Sequence, residues 1–273
     1  GGIVTEVGSA VTSVKPGDKV AVDPVVSCGH CYACRIGRHN VCSTLEVMGV
    51  HRDGGFAEFV VADEKNIHKF HKDFDESLLG LVEPFTIGVE INNRGQITKG
   101  DKVLIMGSGP IGIAAMQVAK RNGAEVIMTD LVKERLEKAK SMGADETVLV
   151  SEDNLEQRLL DFTDGEGIPV VVDTVCIPSS FEQAVQLACP AGRIVCIGLK
   201  NQPSSITMAD ITKKELTIVG SRLNNNCFGF EDGTLHPEQL MTKAYNYKDV
   251  MDALNMIKEH PQDVLKLVLK FED

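Results

Sequence analysis

Between an apolar run at residues 102–106 and a helix-patterned stretch at residues 111–122 lies the turn Gly107-Ser108-Gly109-Pro110-Ile111-Gly112. Such a turn constrains a chain strongly. Glycines permit the tight reversal and let the backbone approach a pyrophosphate, and the helix that follows offers free N–H groups and the positive end of its dipole. The alternation then continues with a strand at 125–128, a helix at 133–142, and strands at 147–150, 170–173, 193–197 and 216–219, with helices at 154–161 and 180–189. A βαβα order requires parallel strands joined by crossover helices, so the expectation is α/β, a six-stranded doubly wound sheet. Asp130 ends the second strand, eighteen positions beyond Gly112 (130 − 112). A carboxylate there can accept hydrogen bonds from both ribose hydroxyls and repels a 2′-phosphate, which favours NAD over NADP. Lys133 and Arg135 temper that preference, because either can meet a phosphate or simply belong to a solvated helix face. An ordinary βα turn and a helix N-cap at Asp130 are the alternatives.

Upstream, Cys28, Cys31, Cys34 and Cys42 form a Cys-x2-Cys-x2-Cys-x7-Cys run on a polar, turn-rich segment. Four thiolates at this spacing can close on one tetrahedral zinc with no open position, the structural type of site. Two disulfides are the alternative. Zinc is favoured because no secretory segment is evident, and Cys176, Cys189, Cys196 and Cys227 sit in apolar stretches as buried or incidental thiols. A redox Cys-x-x-Cys ranks lower, since such motifs open a helix after a strand and do not carry four cysteines. His30 and His39, inside the loop, are expected to face solvent.

The 273 residues suffice for two domains, and 28 Lys+Arg against 39 Asp+Glu give 28 − 39 = −11, with no basic stripe. Neither nucleic acid nor an anionic membrane is an expected partner. No apolar run approaches the roughly 20 residues that span a bilayer, and a cytoplasmic location is expected. Residues 2–7, 19–23 and 56–61 read as antiparallel strands of a small barrel, and 78–92 as a helix leaving it. Later, residues 247–259 read as an amphipathic helix and 265–271 as a strand, returning the chain to the first domain. The expected division is 1–90, 91–222 and 223–273.

The cysteine run, Gly54-Gly55-Phe56-Ala57-Glu58-Phe59, Leu81-Val82-Glu83-Pro84-Phe85, the glycine turn and Lys138-Ala139-Lys140-Ser141-Met142-Gly143-Ala144-Asp145 resemble the medium-chain, zinc-dependent alcohol dehydrogenase superfamily over nearly the whole chain. Asp23-Pro24-Val25-Val26-Ser27-Cys28-Gly29-His30-Cys31-Tyr32 and Gly49-Val50-His51-Arg52-Asp53-Gly54-Gly55-Phe56 are most similar to its bacterial sugar-acid branch, which includes L-gulonate, L-idonate and L-galactonate 5-dehydrogenases and zinc-type starvation-sensing proteins.

The resemblance implies a GroES-like β-barrel catalytic domain, a Rossmann domain that binds NAD at Gly107, Gly109, Pro110, Ile111, Gly112, Asp130 and Arg135, and a homodimer or homotetramer associating through Rossmann edges such as residues 216–219. It also implies a second, catalytic zinc in the cleft, where hydride passes from a secondary alcohol of a polyol or sugar acid to NAD. Glu83 matches the carboxylate placed beside that metal, as a ligand or through its water; a helix cap before Pro84 is the alternative. Residues 2–8 align with the end of the family's Gly-His-Glu-x-x-Gly-x-Val motif. The catalytic Cys, His and Glu would therefore lie upstream of Gly1, and the catalytic zinc is expected only where they are present. The stretch between Cys227 and Leu235 is shorter than the family's usual one. Arg222, which can pair a sugar-acid carboxylate bidentately or serve a surface ion pair, and Asn224 are candidate substrate contacts. His51 is either a loop residue bordering the pocket or a satisfied loop histidine, and Phe56 and Phe85 are expected in the core or the cleft wall. A non-catalytic, NAD- and zinc-binding regulatory protein is the alternative function.

Overall fold

Short strands with brief pairings open the chain: β1 (Gly2–Ile3), β2 (Lys19–Val22), β3 (Val25–Val26), β4 (Glu46–Val47) and β5 (Ile67–Lys69), with helix α1 (Tyr32–Arg35) in the cysteine loop. The computed structural model describes residues 1–151, 154–224, 230 and 233–271. Strands β1, β2 and β5 form an antiparallel sheet in that order, and β3 pairs with β4. The Pro16-Gly17-Asp18 turn sets up β2: Gly17 takes φ +90°, and Asp18 Oδ2 accepts the Lys15 N–H at 3.0 Å. The strand expected at 2–7 ends at Ile3: the Val4 N–H still bonds the Asp18 carbonyl, but the Val4 carbonyl accepts the Gly17 N–H while the Asp18 N–H goes to the Lys15 carbonyl, so the ladder stops at the turn. The strand expected at 56–61 does not form. Phe56 is 86% and Val61 94% exposed, and these residues lack a ladder partner among the described residues, without which an extended segment is not a strand.

The helix expected at 78–92 is a 3-10 turn, Glu76–Leu81, leading into α2 (Val82–Gly95). Asp75 starts it by accepting the Ser77 N–H at 2.9 Å, and Pro84 lies in the first turn of α2, where a missing N–H costs nothing. A parallel sheet follows, built from β6 (Lys102–Met106), β7 (Glu125–Asp130), β8 (Glu146–Leu149), β9 (Ile168–Asp173), β10 (Ala188–Cys196) and β11 (Thr217–Gly220). Its strand order is β11-β10-β9-β6-β7-β8, with crossover helices α3 (Pro110–Arg121), α4 (Lys133–Ser141), α5 (Leu155–Phe162), α6 (Pro178–Leu187) and the short α7 (Met208–Thr212). Helices cover both faces, so neighbouring strand residues are buried alike. Leu104, Val171 and Ile194 join the cluster that includes Leu155, Leu159 and Val185, while Val103, Ile105 and Met128 are buried too.

After β11 the chain forms β12 (Met241–Asn246), α8 (Val250–Glu259) and β13 (Lys266–Lys270), a βαβ unit whose strands pair in parallel. The sequence pattern missed β12, whose residues do not alternate. Two units result: Gly1–Thr86 with Leu223–Asp273, and Ile87–Arg222. Among the described residues no helix is long and apolar enough to cross a membrane.

Candidate functional site

The cysteine loop brings its four thiols together. The Sγ atoms of Cys28, Cys31, Cys34 and Cys42 lie within 4.8 Å of one another, with Cys31 3.5 Å from Cys34 and 3.9 Å from Cys42. A disulfide requires about 2.05 Å, whereas four sulfurs about 2.3 Å from one zinc stand roughly 3.8 Å apart. The geometry fits the metal and not two disulfides. Backbone N–H groups point at the sulfurs, Cys28 N to Cys42 Sγ at 3.3 Å and Cys31 N to Cys28 Sγ at 3.4 Å, as thiolates require. N–H groups of Ser43 and Cys34 pull the Cys31 thiol down to about 5, while burial and the neighbouring thiols push Cys34 up to about 11. Four thiols this close cannot all ionise without a cation among them. His30 and His39 are exposed, as expected.

At the carboxyl end of β6 the glycine turn is built by packing. Gly107 has φ +97°, and its N–H donates to the Thr129 carbonyl at 2.8 Å. A Cβ on Gly112 would stand 2.0 Å from the Gly107 carbonyl oxygen, so the α3 N-terminus can close on the turn only with glycine there. Gly109, the N-cap of α3, is different. Beyond its two chain neighbours, no described atom lies within 4 Å of where its Cβ would be, and among the described residues no side chain caps the N–H groups of the helix that Pro110 opens. A cradle that a methyl group would fill, facing uncapped helix N–H groups, suits a phosphate. Asp130, at the end of β7, accepts the Ser108 N–H through Oδ2 at 2.8 Å and the Val132 N–H through Oδ1 at 2.9 Å. Each oxygen keeps a lone pair for a hydroxyl, and the carboxylate is locked to the glycine turn rather than capping α4, whose N-cap is Val132. Arg135 is half-buried in the first turn of α4 and Lys133 is exposed.

Glu83 lies in the first turn of α2 and lines a cavity of about 350 Å³ in the first unit, together with Asp23, Asn66, Asn224, Lys65 and His68. It is not a helix cap: among the described residues no donor reaches its carboxylate, and only its backbone carbonyl is bonded, by Thr86 Oγ1 at 2.7 Å. Burial pushes its pKa up; the charge of Lys266 opposes this and that of Asp23 adds to it. A half-buried carboxylate without a protein donor, facing an open cavity, is available to a ligand.

Against known proteins, residues 110–232 match the zinc-binding dehydrogenase family and residues 1–72 the alcohol dehydrogenase GroES-like domain. The starvation-sensing protein RspB of Escherichia coli is 41% identical over 281 aligned positions, which take in the whole of this chain and 82% of that protein. The chain belongs to the zinc-type alcohol dehydrogenase family. The crystal structure of the rspB alcohol dehydrogenase of E. coli CFT073 complexed with NADH superposes on this dehydrogenase with a TM-score of 0.93 and 41% identity, covering 99% of this chain and 82% of that one. Sorbitol dehydrogenase of Bacillus subtilis is 29% identical over 98% of this chain and 78% of its own. The fold is thus that of the family, a Rossmann-type parallel sheet and a GroES-like domain.

In this zinc-type dehydrogenase Asn224 joins Glu83 at the cavity, 8% exposed, whereas Arg222 is exposed and does not line it. His51 does not line it either. Its Nδ1 accepts the Val47 N–H at 3.0 Å, which closes the turn after β4 and favours the satisfied-loop reading. Phe85 is fully buried, edge-on to Phe230 at 5.6 Å, but the expectation for Phe56 fails, since it lies on the exposed 56–61 segment. Cys176, Cys189 and Cys196 are half-buried, not fully so, and Cys227 lies outside the described residues. Sequence reasoning missed the place at the cavity of Asp23, quoted only within the Asp23–Tyr32 stretch, and of Asn66, which belongs to no motif.

Proposed function

We propose that this dehydrogenase transfers hydride from a secondary alcohol of a polyol or sugar acid, a hexonate such as L-gulonate or L-idonate among them, to NAD. The observation that carries the reading is Glu83, a half-buried carboxylate without a donor, facing a cavity in a chain of the zinc-type family. In this reading residues 1–90 and 223–273 form the catalytic domain and 91–222 the NAD-binding domain. Gly109 and the N-terminus of α3 receive the pyrophosphate, Asp130 accepts the ribose hydroxyls, and Arg135 lies beside them. Cys28, Cys31, Cys34 and Cys42 hold a structural zinc, and Glu83 stands beside the catalytic one. When bound, catalytic zinc supplies a Lewis acid that lowers the pKa of an alcohol, and the nicotinamide takes the hydride. Asn224 is assigned to orient the substrate, with Arg222 and His51 as further candidates. The NADH held by the rspB enzyme and the polyol named for the Bacillus relative support both halves of the reading. The proposed assembly is a homodimer or homotetramer using the free edge of β11, in the cytoplasm.

The test is to titrate zinc-supplied protein with NADH and NADPH, then to follow NAD reduction with sorbitol, xylitol, L-gulonate, L-idonate and the β-hydroxy amino acid L-threonine. Tighter binding of NADH and turnover of a polyol or hexonate, reduced at least tenfold by Glu83→Gln, are expected. Tight NADH binding without turnover of any alcohol would favour the non-catalytic regulatory protein. Failure to bind NADH would defeat both.

A further inference from the structure

The sheet of the second unit reverses its strand order between β6 and β9, with β7 and β8 on one side and β10 and β11 on the other. A dinucleotide lies across such a reversal, outside the carboxyl ends of the strands, each half of the sheet taking one nucleotide. Asp130, at the end of β7, marks the adenosine half. The nicotinamide half then falls to the loops that leave β9 and β10. The first of these is tied to the glycine turn: the Met106 carbonyl accepts the Thr174 N–H at 3.1 Å and Thr174 Oγ1 at 2.7 Å, and a Cβ on Gly107 would stand 3.2 Å from Val175 Cγ2.

Cys176 joins the two loops. The turn after β9 is already closed without its sulfur, since the buried Asp173 accepts the Val175 and Cys176 N–H groups through Oδ1 at 3.0 and 2.8 Å and the Ser180 hydroxyl through Oδ2 at 2.8 Å. Cys176 takes φ +51°, where glycine fits most freely. A turn that needed only that angle would be met by glycine. The thiol instead reaches across: Sγ accepts the Gly198 N–H at 2.8 Å and the Ile197 N–H at 3.3 Å, and it donates to the Asp173 carbonyl at 2.8 Å. Burial, and after it the charge of Asp173, push its pKa up, which keeps the proton that the last bond needs. Gly198 makes the approach possible, because a Cβ there would stand 2.1 Å from the Cys176 Cβ. Beside the clamp, Val175 and Leu199 are 43% and 80% exposed, apolar surface at the carboxyl ends of the strands.

We propose that Cys176 is a positioning residue for the nicotinamide ring: its sulfur locks the loop after β9 to the loop after β10, so that both stand ordered before the ring arrives. Without the sulfur, part of the binding free energy goes into ordering the loops. This rests on the dinucleotide reading of the glycine turn and adds to it a residue that acts on the nicotinamide half alone.

The test compares zinc-supplied wild type, Cys176→Ala and Cys176→Gly by titration with NADH, read by nicotinamide fluorescence, and with ADP-ribose, which lacks only the nicotinamide, read by calorimetry. Cys176→Ala keeps the Cβ and deletes only the sulfur; Cys176→Gly also relaxes the φ of +51°, which guards against a variant that fails to fold. Each should bind NADH about tenfold more weakly, or about 1.4 kcal/mol, and ADP-ribose within about twofold of wild type. The chain has no tryptophan, so the fluorescence of bound NADH reports the ring's own surroundings, and in the variants its emission should move toward that of free NADH. A merely structural role would weaken both ligands alike, and such a parallel loss overturns the proposal, as does NADH binding within about twofold of wild type. Wild type that bound ADP-ribose as tightly as NADH would overturn it too, by showing that the ring gains nothing from the loops. Wild type that bound neither would defeat the dinucleotide reading itself, and this proposal with it.

Discussion

Gly109 and Gly112 stand three residues apart in one turn, yet alanine should fail at each for a different reason. Gly109 has φ −74° and ψ −177°, an extended conformation open to any residue, and nothing within 4 Å for a methyl group to strike. Its replacement costs only the difference between glycine and alanine as an N-cap, under about 1 kcal/mol, and a fall in Tm of less than about 4 °C for a chain of this size. At Gly112 the new Cβ would lie 2.0 Å from the Gly107 carbonyl oxygen, well inside the 3.0 Å that real Cβ contacts respect. Gly107 cannot easily yield, being held at φ +97° by Thr129 and flanked by the Thr174 side chain. Opening the turn should cost about 1–3 kcal/mol, the usual range for overpacking, or roughly 2–12 °C in Tm. Binding should invert the order of interest. Gly109→Ala fills the space reserved for the pyrophosphate and should weaken NADH at least about a hundredfold, about 2.7 kcal/mol, in a protein that melts almost like wild type. Scanning calorimetry and NADH fluorescence titration on both variants measure the two effects. If Gly109→Ala bound NADH within about threefold of wild type, the open face of the turn would not be the phosphate cradle.

Three further outcomes follow from the geometry. Cys34→Ser should abolish the structural zinc, lowering its affinity roughly a hundredfold or more; elemental analysis after dialysis should fall from about one zinc per chain at the thiol cluster toward zero, and an unchanged content would refute the four-thiolate assignment. Asp130→Asn removes the charge that disfavours a 2′-phosphate and should move the NADH-to-NADPH affinity ratio at least about tenfold toward NADPH, a shift whose absence in paired titrations would show that Asp130 does not face the ribose. Glu64 accepts the Thr12 and Ser13 N–H groups at 2.8 and 2.7 Å, which pull its pKa down from 4.5 to about 2. Because the folded value is the lower one, its stabilisation is present above pH 4.5 and is lost as pH falls toward 2. In urea melts Glu64→Gln should therefore be less stable than wild type at neutral pH, with the gap closing at acid pH; a gap independent of pH would contradict this.

Legibility in the sequence tracked how locally each feature is determined. The sheet of the second unit was readable because strands buried on both faces must be apolar throughout, and β6 falls at 102–106 as its pattern requires. Its helices shifted by a residue or two for reasons that lie in their caps: α3 begins at Pro110 because Gly109 is its N-cap, and α5 at Leu155 because Asn154 accepts the Gln157 N–H. The cysteine loop and the glycine turn were readable too, since each gathers its ligating groups within a few residues. The first unit was read less well, because its strands are short and depend on partners far along the chain. The 56–61 segment has an alternating pattern, but a pattern states only which face would be buried and supplies no neighbour to bury it.

The cavity was least legible, and for a related reason. Asp23 acquires its meaning from Asn66, 43 residues away, and from Asn224, 201 residues away. No spacing rule spans such separations, so motif reading finds Glu83 and Asn224 singly and leaves Asp23 as an acidic residue before a proline. What distinguishes Asp23 is an accounting of hydrogen bonds: one oxygen is committed to Val25 and Asn224, and the other has no partner among the described residues, in a side chain that lines the cavity.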